Sequence, residues 1–261
     1  MRRMKTNVMK EGLARGETQV GMWINMVRNP AILRLMKSAG LDFARFDMEH
    51  ASPSIETLST MALMARALDF TLTVRPPQGN REWITRLLDA GVWSLHVPQV
   101  DTPEIAQEVV NVSLYAPDGL RGMAMVGNHT DYESGPPGET QRFLNRQMHL
   151  AIMFESQQAF DNIDEIMSVE GVDAVTLGPS DLAQELGVFG TPDQGKVIDD
   201  YRTRLIEAAG RHGKDVSMLV GSIEQGEQWI RAGAKIICYS SEVDILRRGI
   251  KEAADRLHAA K

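Results

Sequence analysis

The chain has 261 residues and a formal net charge of −7, with 43% hydrophobic and 24% charged residues. This composition is ordinary for a folded globular protein and excludes a disordered chain, while the acidic surplus argues against nucleic-acid binding, which needs an excess of Lys and Arg. The single cysteine, Cys238, excludes an internal disulfide, and the sequence shows neither a signal peptide nor an apolar run long enough to cross a membrane, so we expect a cytoplasmic protein.

Short apolar segments alternate with helical patterns from the start of the chain to its end. Strand-like segments are found at 20–25, 43–48, 71–75, 94–98, 150–155, 174–179, 216–220 and 236–239, each followed by a helical pattern. Strands that alternate with helices of ten or more residues predict right-handed crossovers and a parallel sheet. Eight such units in a chain of this length predict one (β/α)₈ TIM barrel domain over residues 1–261, and the first strand lacks the G-x-G-x-x-G signature of a dinucleotide-binding fold.

One stretch interrupts this alternation. Residues 115–146 are rich in Gly, Pro, Asn and Asp and include Pro-Asp-Gly at 117–119 and Gly-Pro-Pro-Gly at 135–138. We therefore expect a long loop at about 115–146. A connection of this length within one domain is usually a lid, a binding loop or a contact between subunits.

Polar residues follow several of the predicted strands. In a (β/α)₈ barrel the active site lies at the carboxyl ends of the strands, where these side chains would converge. They are Asp47, Glu49, His50, Arg75, Gln99, Glu155 and Asp181.

The residue types in this set indicate proton transfer next to a carbonyl group. Glu155 and Asp181, on different strand ends, suit a hard divalent cation such as Mg²⁺ or Mn²⁺, which keeps most of its coordination sphere for water and substrate oxygens. His50 is a suitable proton carrier near neutral pH, and Asp47 would fix its tautomer or orient a water. Arg75 would hold a carboxylate or a developing oxyanion.

Simpler roles compete with each of these assignments. An acidic residue just after a strand is more often a helix N-cap or a surface charge, and Asp181, after Gly-Pro-Ser, is well placed to cap the next helix. Asp47 or Glu49 could serve only as an ion-pair partner of Arg45 or Arg75.

Several ordered blocks of the sequence resemble one family. These blocks are GLDFARFDMEH (40–50), TVRPP (73–77), LLDAGVWSLHVPQVDTPEIA (87–106), YAPDGLRG (115–122), FESQQAFDNIDEI (154–166) and GVDAVTLGPSDLAQELG (171–187). The sequence is similar to the HpcH/HpaI aldolases, which are class II pyruvate aldolases of the 4-hydroxy-2-oxoheptanedioate aldolase type. The resemblance covers nearly the whole chain, and the Gly-Pro-x-Asp-Leu segment is its most specific part.

The resemblance implies a role for each matching residue. It implies that Glu155 and Asp181 bind Mg²⁺, Mn²⁺ or Co²⁺, that His50 is the catalytic base supported by Asp47, and that Arg75 holds the keto acid.

The resemblance also implies features beyond these side chains. The backbone of Gly178, Pro179 and Ser180 would meet the substrate carboxylate at a helix N-terminus. The last helix, 242–259, would exchange onto a neighbouring subunit, within dimers assembled into a homohexamer.

At four positions this chain departs from the family pattern. Met48 replaces a common glycine, and Gln99 stands where methionine is typical. Met153 replaces a glutamine near the keto acid, and Met125 stands near the position of a serine that touches the carboxylate. The altered lining makes Met125 and Met153 candidate substrate-binding residues.

The leading hypothesis is a divalent-metal-dependent aldolase that reversibly cleaves a carbon–carbon bond through a metal-stabilised enolate, releasing pyruvate or a similar 2-oxo acid and an aldehyde. Related enolate chemistry, such as citrate-type condensation or oxaloacetate decarboxylation, is the first alternative. A non-catalytic keto-acid-binding protein is the second.

Overall fold

Eight parallel strands close into a barrel in a computed structural model that describes residues 4–124 and 126–260. Each strand pairs with the next along the chain, and the last pairs with the first. The strands are β1 (Gln19–Ile24), β2 (Phe43–Asp47), β3 (Thr71–Arg75), β4 (Ser94–Val97), β5 (His149–Phe154), β6 (Ala174–Leu177), β7 (Asp215–Val220) and β8 (Ile236–Ser241). The predicted (β/α)₈ barrel is confirmed.

Helices surround the barrel and connect its strands. They are α1 (Val8–Ala14), α2 (Ala31–Ser38), α3 (Ile55–Ala67), α4 (Arg81–Asp89), α5 (Pro103–Ser113), α6 (Pro137–Gln147), α7 (Gln157–Asp161), α8 (Ile163–Met167), α9 (Pro179–Glu185), α10 (Gln194–His212), α11 (Ile223–Ala232) and α12 (Glu242–Ala259). In the part of the chain that the structure describes, none of them combines the length and the apolar character needed to cross a membrane.

Helix α1, which the strand–helix alternation did not predict, packs at the amino end of the barrel. Asn7 caps it by accepting a hydrogen bond from Lys10 N–H and also accepts one from the Thr71 hydroxyl at 3.0 Å. Met9 is 1% exposed and packs with Trp23 and other residues of the barrel interior. The helix therefore covers the end of the barrel opposite the carboxyl ends of the strands.

The predicted loop at 115–146 is only partly a loop. Its last third forms α6, which has Pro137 in its first turn, a position where a missing N–H costs nothing. Asn145 on this helix accepts a hydrogen bond from the Tyr115 N–H and donates one to the Tyr115 carbonyl, both at 2.9 Å. Leu144 is buried beneath the helix. The two hydrogen bonds join the two ends of the segment, an order that a composition rich in Gly and Pro did not indicate.

One apolar core lies between the strands and the helices. It is built from the outward-facing strand residues, such as Val74, Leu95 and Ile152, and the apolar sides of the helices. Because this core is continuous around the barrel, the described chain forms a single domain. A smaller apolar cluster containing Phe43 and Cys238 lies inside the barrel, towards its amino end.

Candidate active site

A cavity of about 480 Å³ opens at the carboxyl ends of the strands. This is the end of a (β/α)₈ barrel at which active sites are found. Of the residues singled out in the sequence, His50, Arg75, Met153, Glu155, Gly178, Pro179, Ser180 and Asp181 line it. The tertiary structure thus brings together side chains that are up to 131 positions apart in the sequence (181 − 50).

Arg75 is held in place by two carboxylates and an aromatic ring. The strand register sets Asp47 beside Arg75, and the guanidinium donates from Nε to Oδ1 and from Nη2 to Oδ2 of Asp47, each at 2.8 Å. Nη1 lies 2.9 Å from Oε2 of Glu49, and the guanidinium carbon lies 4.6 Å from the centre of the Trp23 ring. A bidentate pair of this kind fixes both position and orientation.

Asp47 is fully buried, and it does not contact His50, the residue that it was expected to support. Besides the two bonds from Arg75, it accepts a bond from the Glu49 N–H at 3.1 Å. The carboxylate that lies near His50 belongs to Glu49, whose Oε2 is 3.7 Å from His50 Nε2. In this structure Asp47 therefore orients Arg75. His50 stands at the rim of the cavity with 63% of its side chain exposed.

Glu155 follows β5 and points into the cavity from a buried position. Its Oε1 accepts a hydrogen bond of 2.6 Å from the Gln99 N–H, and Gln99 presents that N–H from a left-handed backbone conformation with a φ of 57°. The pKa of Glu155 is raised to about 7, mainly by burial and also by the charges of Glu49 and Asp181, while the hydrogen bond from Gln99 and the charge of Arg75 oppose the shift. A buried carboxylate with acidic neighbours favours a bound proton or a cation.

Asp181 lies in the first turn of α9. The N-cap residue of this helix is Gly178, and no side chain makes a capping hydrogen bond there. The alternative that Asp181 serves as a helix cap is therefore not supported, and its carboxylate is left facing the cavity that also contains Glu155.

Gly178 allows the backbone after β6 to lie close to the Glu155 side chain. A Cβ atom on this residue would lie 2.6 Å from both Cβ and Oε2 of Glu155, which is far inside van der Waals contact. Its N–H is already used, because it donates to the Phe154 carbonyl at 2.9 Å. Since Pro179 has no N–H, only Ser180 within 178–180 offers the backbone donor that was expected to meet a substrate carboxylate.

Of the two candidate substrate-binding methionines, the structure places only Met153. Met153 is buried on β5 and lines the cavity next to Gly178. Met125 lies outside the described residues.

The acidic residues of the cavity do not form a complete metal cage by themselves. Within 4–124 and 126–260, no group of three or more His, Cys, Asp and Glu side chains is arranged to hold a metal ion. Two carboxylates, Glu155 and Asp181, are a fitting donor set for an octahedral cation that keeps water and substrate oxygens as its other ligands.

Sequence reasoning missed several residues that line the cavity. Trp23 and Gln225 face it from β1 and α11, and Arg45 and His96 reach it from inside the barrel. The position of Arg45 was accessible from the period of two, because it lies two residues before Asp47 on the same strand and shares its face.

The closed parallel barrel and the carboxylates and arginine at its strand ends define a class: a (β/α)₈ barrel enzyme with a charged pocket at the carboxyl ends of its strands. Residues 19–248 match the family model for HpcH/HpaI aldolase/citrate lyase. The chain belongs to this family.

Relatives along nearly the full length agree with this assignment. The chain is 31% identical over 252 residues to a hydroxypyruvate/pyruvate aldolase of Deinococcus radiodurans, covering 95% of this chain and 89% of the relative. It is 32% identical over 254 residues to a 2-keto-3-deoxy-L-rhamnonate aldolase of Klebsiella pneumoniae, covering 94% and 93%. The crystal structure of an HpcH/HpaI aldolase from Desulfitobacterium hafniense superposes with a TM-score of 0.90 at 30% identity, covering 98% of this chain and 97% of that one. The predicted aldolase, a carbon–carbon lyase, is confirmed.

Proposed function

We propose that the protein catalyses the reversible aldol cleavage of a 4-hydroxy-2-oxo acid to pyruvate, or a similar 2-oxo acid, and an aldehyde. The observation that carries this proposal is that Arg75, fixed by Asp47, lines the same cavity as the buried carboxylate Glu155 and the exposed carboxylate Asp181. That arrangement offers a positive group for a keto acid beside a site that attracts a cation.

Glu155 and Asp181 are the residues that would hold a divalent cation, Mg²⁺ or Mn²⁺, with Co²⁺ as a further option. The raised pKa of Glu155 supports this, because a carboxyl group crowded by acidic neighbours gains most from a cation. When bound, such an ion acts as a Lewis acid on the keto-acid carbonyl and favours the enolate.

The other residues would bind the substrate and move protons. Arg75 would hold the keto acid through its oxygen atoms, and the Ser180 N–H would donate to the substrate carboxylate. His50 would accept the proton of the 4-hydroxyl group during cleavage and return it during synthesis. Met153 would give this side of the pocket an apolar lining.

The test is the release of pyruvate from a 4-hydroxy-2-oxo acid by the protein with Mg²⁺ or Mn²⁺ and again after treatment with EDTA. We expect activity only with the metal, and its loss in Glu155→Ala. Glu108→Ala, which removes an exposed carboxylate on α5, is the matched control and should behave as the wild type. Turnover that survives both EDTA and Glu155→Ala would refute the proposal.

Met153, which is apolar where the resemblance implies a glutamine, is the reason to test the related reactions as well. Product analysis with oxaloacetate separates decarboxylation or condensation from aldol cleavage. Loss of C3 protons of pyruvate to D₂O distinguishes any of these reactions from simple binding.

We also propose a homo-oligomer, a hexamer built as a trimer of dimers by exchange of α12. Four apolar side chains on this helix are between 36% and 73% exposed: Ile245, Leu246, Ile250 and Leu257. Such a face is expected to be covered by another subunit. Light scattering should give a hexamer mass for the wild type and a smaller one for Ile250→Glu; a monomeric wild type would refute this.

We further propose that the protein is cytoplasmic. The one cysteine, Cys238, is buried and free, which suits a reducing compartment.

A further inference from the structure

A buried arginine lies inside the barrel, deeper than Arg75. Arg45 is 2% exposed, and its Nη2 donates to the Ser217 hydroxyl at 2.9 Å. Its guanidinium carbon lies 5.3 Å from the Trp23 ring and 5.6 Å from the Phe43 ring. Its Nε has no hydrogen-bond partner, so the hydrogen-bonding capacity of the group is only partly used.

The charge of Arg45 is not balanced by the described chain. No Asp or Glu of residues 4–124 and 126–260 forms an ion pair with it, and the charged groups that act on it are Arg75, which is also positive, and the Cys238 thiol. Burial raises the pKa of that thiol to about 11, so it is neutral near pH 7. Because a guanidinium keeps its proton in proteins, an unpaired buried arginine calls for an anion from outside the chain.

His96 on β4 supplies a second unsatisfied group in the same place. It is 1% exposed, and its Nδ1 has no hydrogen-bond partner. Its ring stands edge-on to Trp23, with the centres 5.8 Å apart. Burial, with the positive charges of Arg45 and Arg75, lowers the pKa of His96 well below its usual value. The neutral ring can still donate one N–H to an anion.

These two groups belong to the same cavity as the candidate active site. Arg45, His96 and Arg75 all line it, and Arg75 and Arg45 lie 4.6 and 5.3 Å from the same Trp23 ring. Arg75 is already paired with Asp47 and Glu49, whereas Arg45 has no carboxylate beside it. A ligand held at Arg75 would supply the missing negative charge if it carried a second carboxylate at its inner end.

We propose that Arg45 and His96 form an inner anion subsite that binds the second carboxylate of a dicarboxylic 2-oxo acid, whose 2-oxo acid end is held at Arg75. The choice of a 2-oxo acid rests on the proposed function, whereas the anion subsite does not. A small inorganic anion such as chloride is the other source of the same charge, and the experiment separates the two.

The experiment measures binding by isothermal titration calorimetry with the full chain in EDTA, at constant ionic strength. Succinate, acetate and chloride are titrated into the wild type, Arg45→Met and Arg86→Met. Arg86, exposed on α4 with a single i,i+4 partner, is the matched control. We expect succinate to bind more tightly than acetate or chloride, and Arg45→Met to weaken it by at least about tenfold, the loss of a hydrogen-bonded charge pair. Arg86→Met should leave it unchanged.

Two results of the titration would overturn the proposal. Succinate binding that is equal in the wild type and Arg45→Met would remove the subsite. Chloride that binds as tightly as succinate, and depends on Arg45, would replace the dicarboxylate by an inorganic ion.

Thermal unfolding without any added anion gives an independent measurement. Removing an unpaired buried charge should raise the Tm of Arg45→Met above that of the wild type, whereas a lower Tm would show that the chain itself balances this charge and would refute the proposal. His96→Leu removes one donor and keeps the cation, and it should weaken succinate binding by about threefold or more.

The two proposals fail separately. Loss of lyase activity in all assays, with succinate binding that still depends on Arg45, refutes the proposed reaction and leaves the subsite. Lyase activity on monocarboxylic substrates alone, with binding that is independent of Arg45, refutes the subsite and leaves the reaction.

Discussion

Asp47 holds Arg75 through two parallel hydrogen bonds of 2.8 Å, and it does so from a fully buried position at the end of the neighbouring strand. Removing one partner of a buried ion pair leaves the other charge uncompensated, which costs about 3–5 kcal/mol. Glu49 also contacts Arg75 and would still do so without the Asp47 carboxylate, so the expected loss of stability lies at the lower end of that range.

We therefore expect Asp47→Asn to lower the free energy of unfolding, measured with urea, by about 3 kcal/mol and to raise the KM for the keto acid. Asp69→Asn is the control, because Asp69 forms an ion pair with Lys5 in which both side chains are at least 41% exposed; its loss should stay below about 1 kcal/mol. Equal losses in the two variants would contradict the role given to Asp47.

The pKa of Glu155 predicts how the stability of the metal-free protein depends on pH. The pKa of about 7 in the folded state lies above the usual glutamate value of 4.5, so the folded state holds this proton more tightly than the unfolded state. The stability that the folded protein gains from this tighter proton binding is fully present below about pH 4.5 and is lost as the pH rises through 7. Since each unit of pKa difference corresponds to 1.36 kcal/mol, this proton contributes about 3 kcal/mol to the free energy of unfolding.

Glu155→Gln removes this dependence. In EDTA, the variant should become more stable relative to the wild type as the pH rises from 4.5 to 8, by up to about 3 kcal/mol in urea unfolding. Adding Mg²⁺ at pH 8 should stabilise the wild type and not the variant. A difference between the two proteins that does not change with pH would show that Glu155 is ionised without penalty.

A substitution at Gly178 tests whether the close approach of its backbone to the Glu155 carboxylate matters for metal binding. In Gly178→Ala the new Cβ would lie 2.6 Å from Glu155 Oε2, so the carboxylate has to move, and we expect metal affinity measured by calorimetry to fall by about tenfold or more. Gly221→Ala is the control: Gly221 lines the same cavity, and a Cβ there would meet nothing within 4 Å. Unchanged metal affinity in Gly178→Ala would place the cation elsewhere.

His50 should be needed for proton transfer and not for binding. Its exposed ring stands at the cavity rim, near Glu49. We expect His50→Gln to lower kcat by roughly 10²–10⁴ with metal and succinate affinity unchanged. His212→Gln, on the outer helix α10, should keep the wild-type rate. A kcat within a factor of about 10 of the wild type would assign the base to another group.

Most of the fold followed from local pattern. Apolar segments at 43–48, 71–75 and 150–155 alternate with helical patterns, and eight such units leave a closed parallel barrel as the simplest solution. The same alternation placed Glu155 and Asp181 just past strand ends, where the structure has them. Helix α6 was missed because the Gly and Pro residues at its start gave the whole segment the appearance of a loop.

The barrel, the family and the polar residues at the strand ends could all be predicted from the amino-acid sequence, because hydrophobic periodicity and strand order are local properties of the chain. The pairing of these polar groups became visible in the three-dimensional structure. Because of the register of β2 against β3, Asp47 pairs with Arg75 rather than with His50. The arrangement of all eight strands places Arg45 inside the barrel, with no carboxylate of the described chain beside it. Hydrogen bonds and charge balance depend on distances between residues far apart in the chain, and these distances exist only once the barrel has closed.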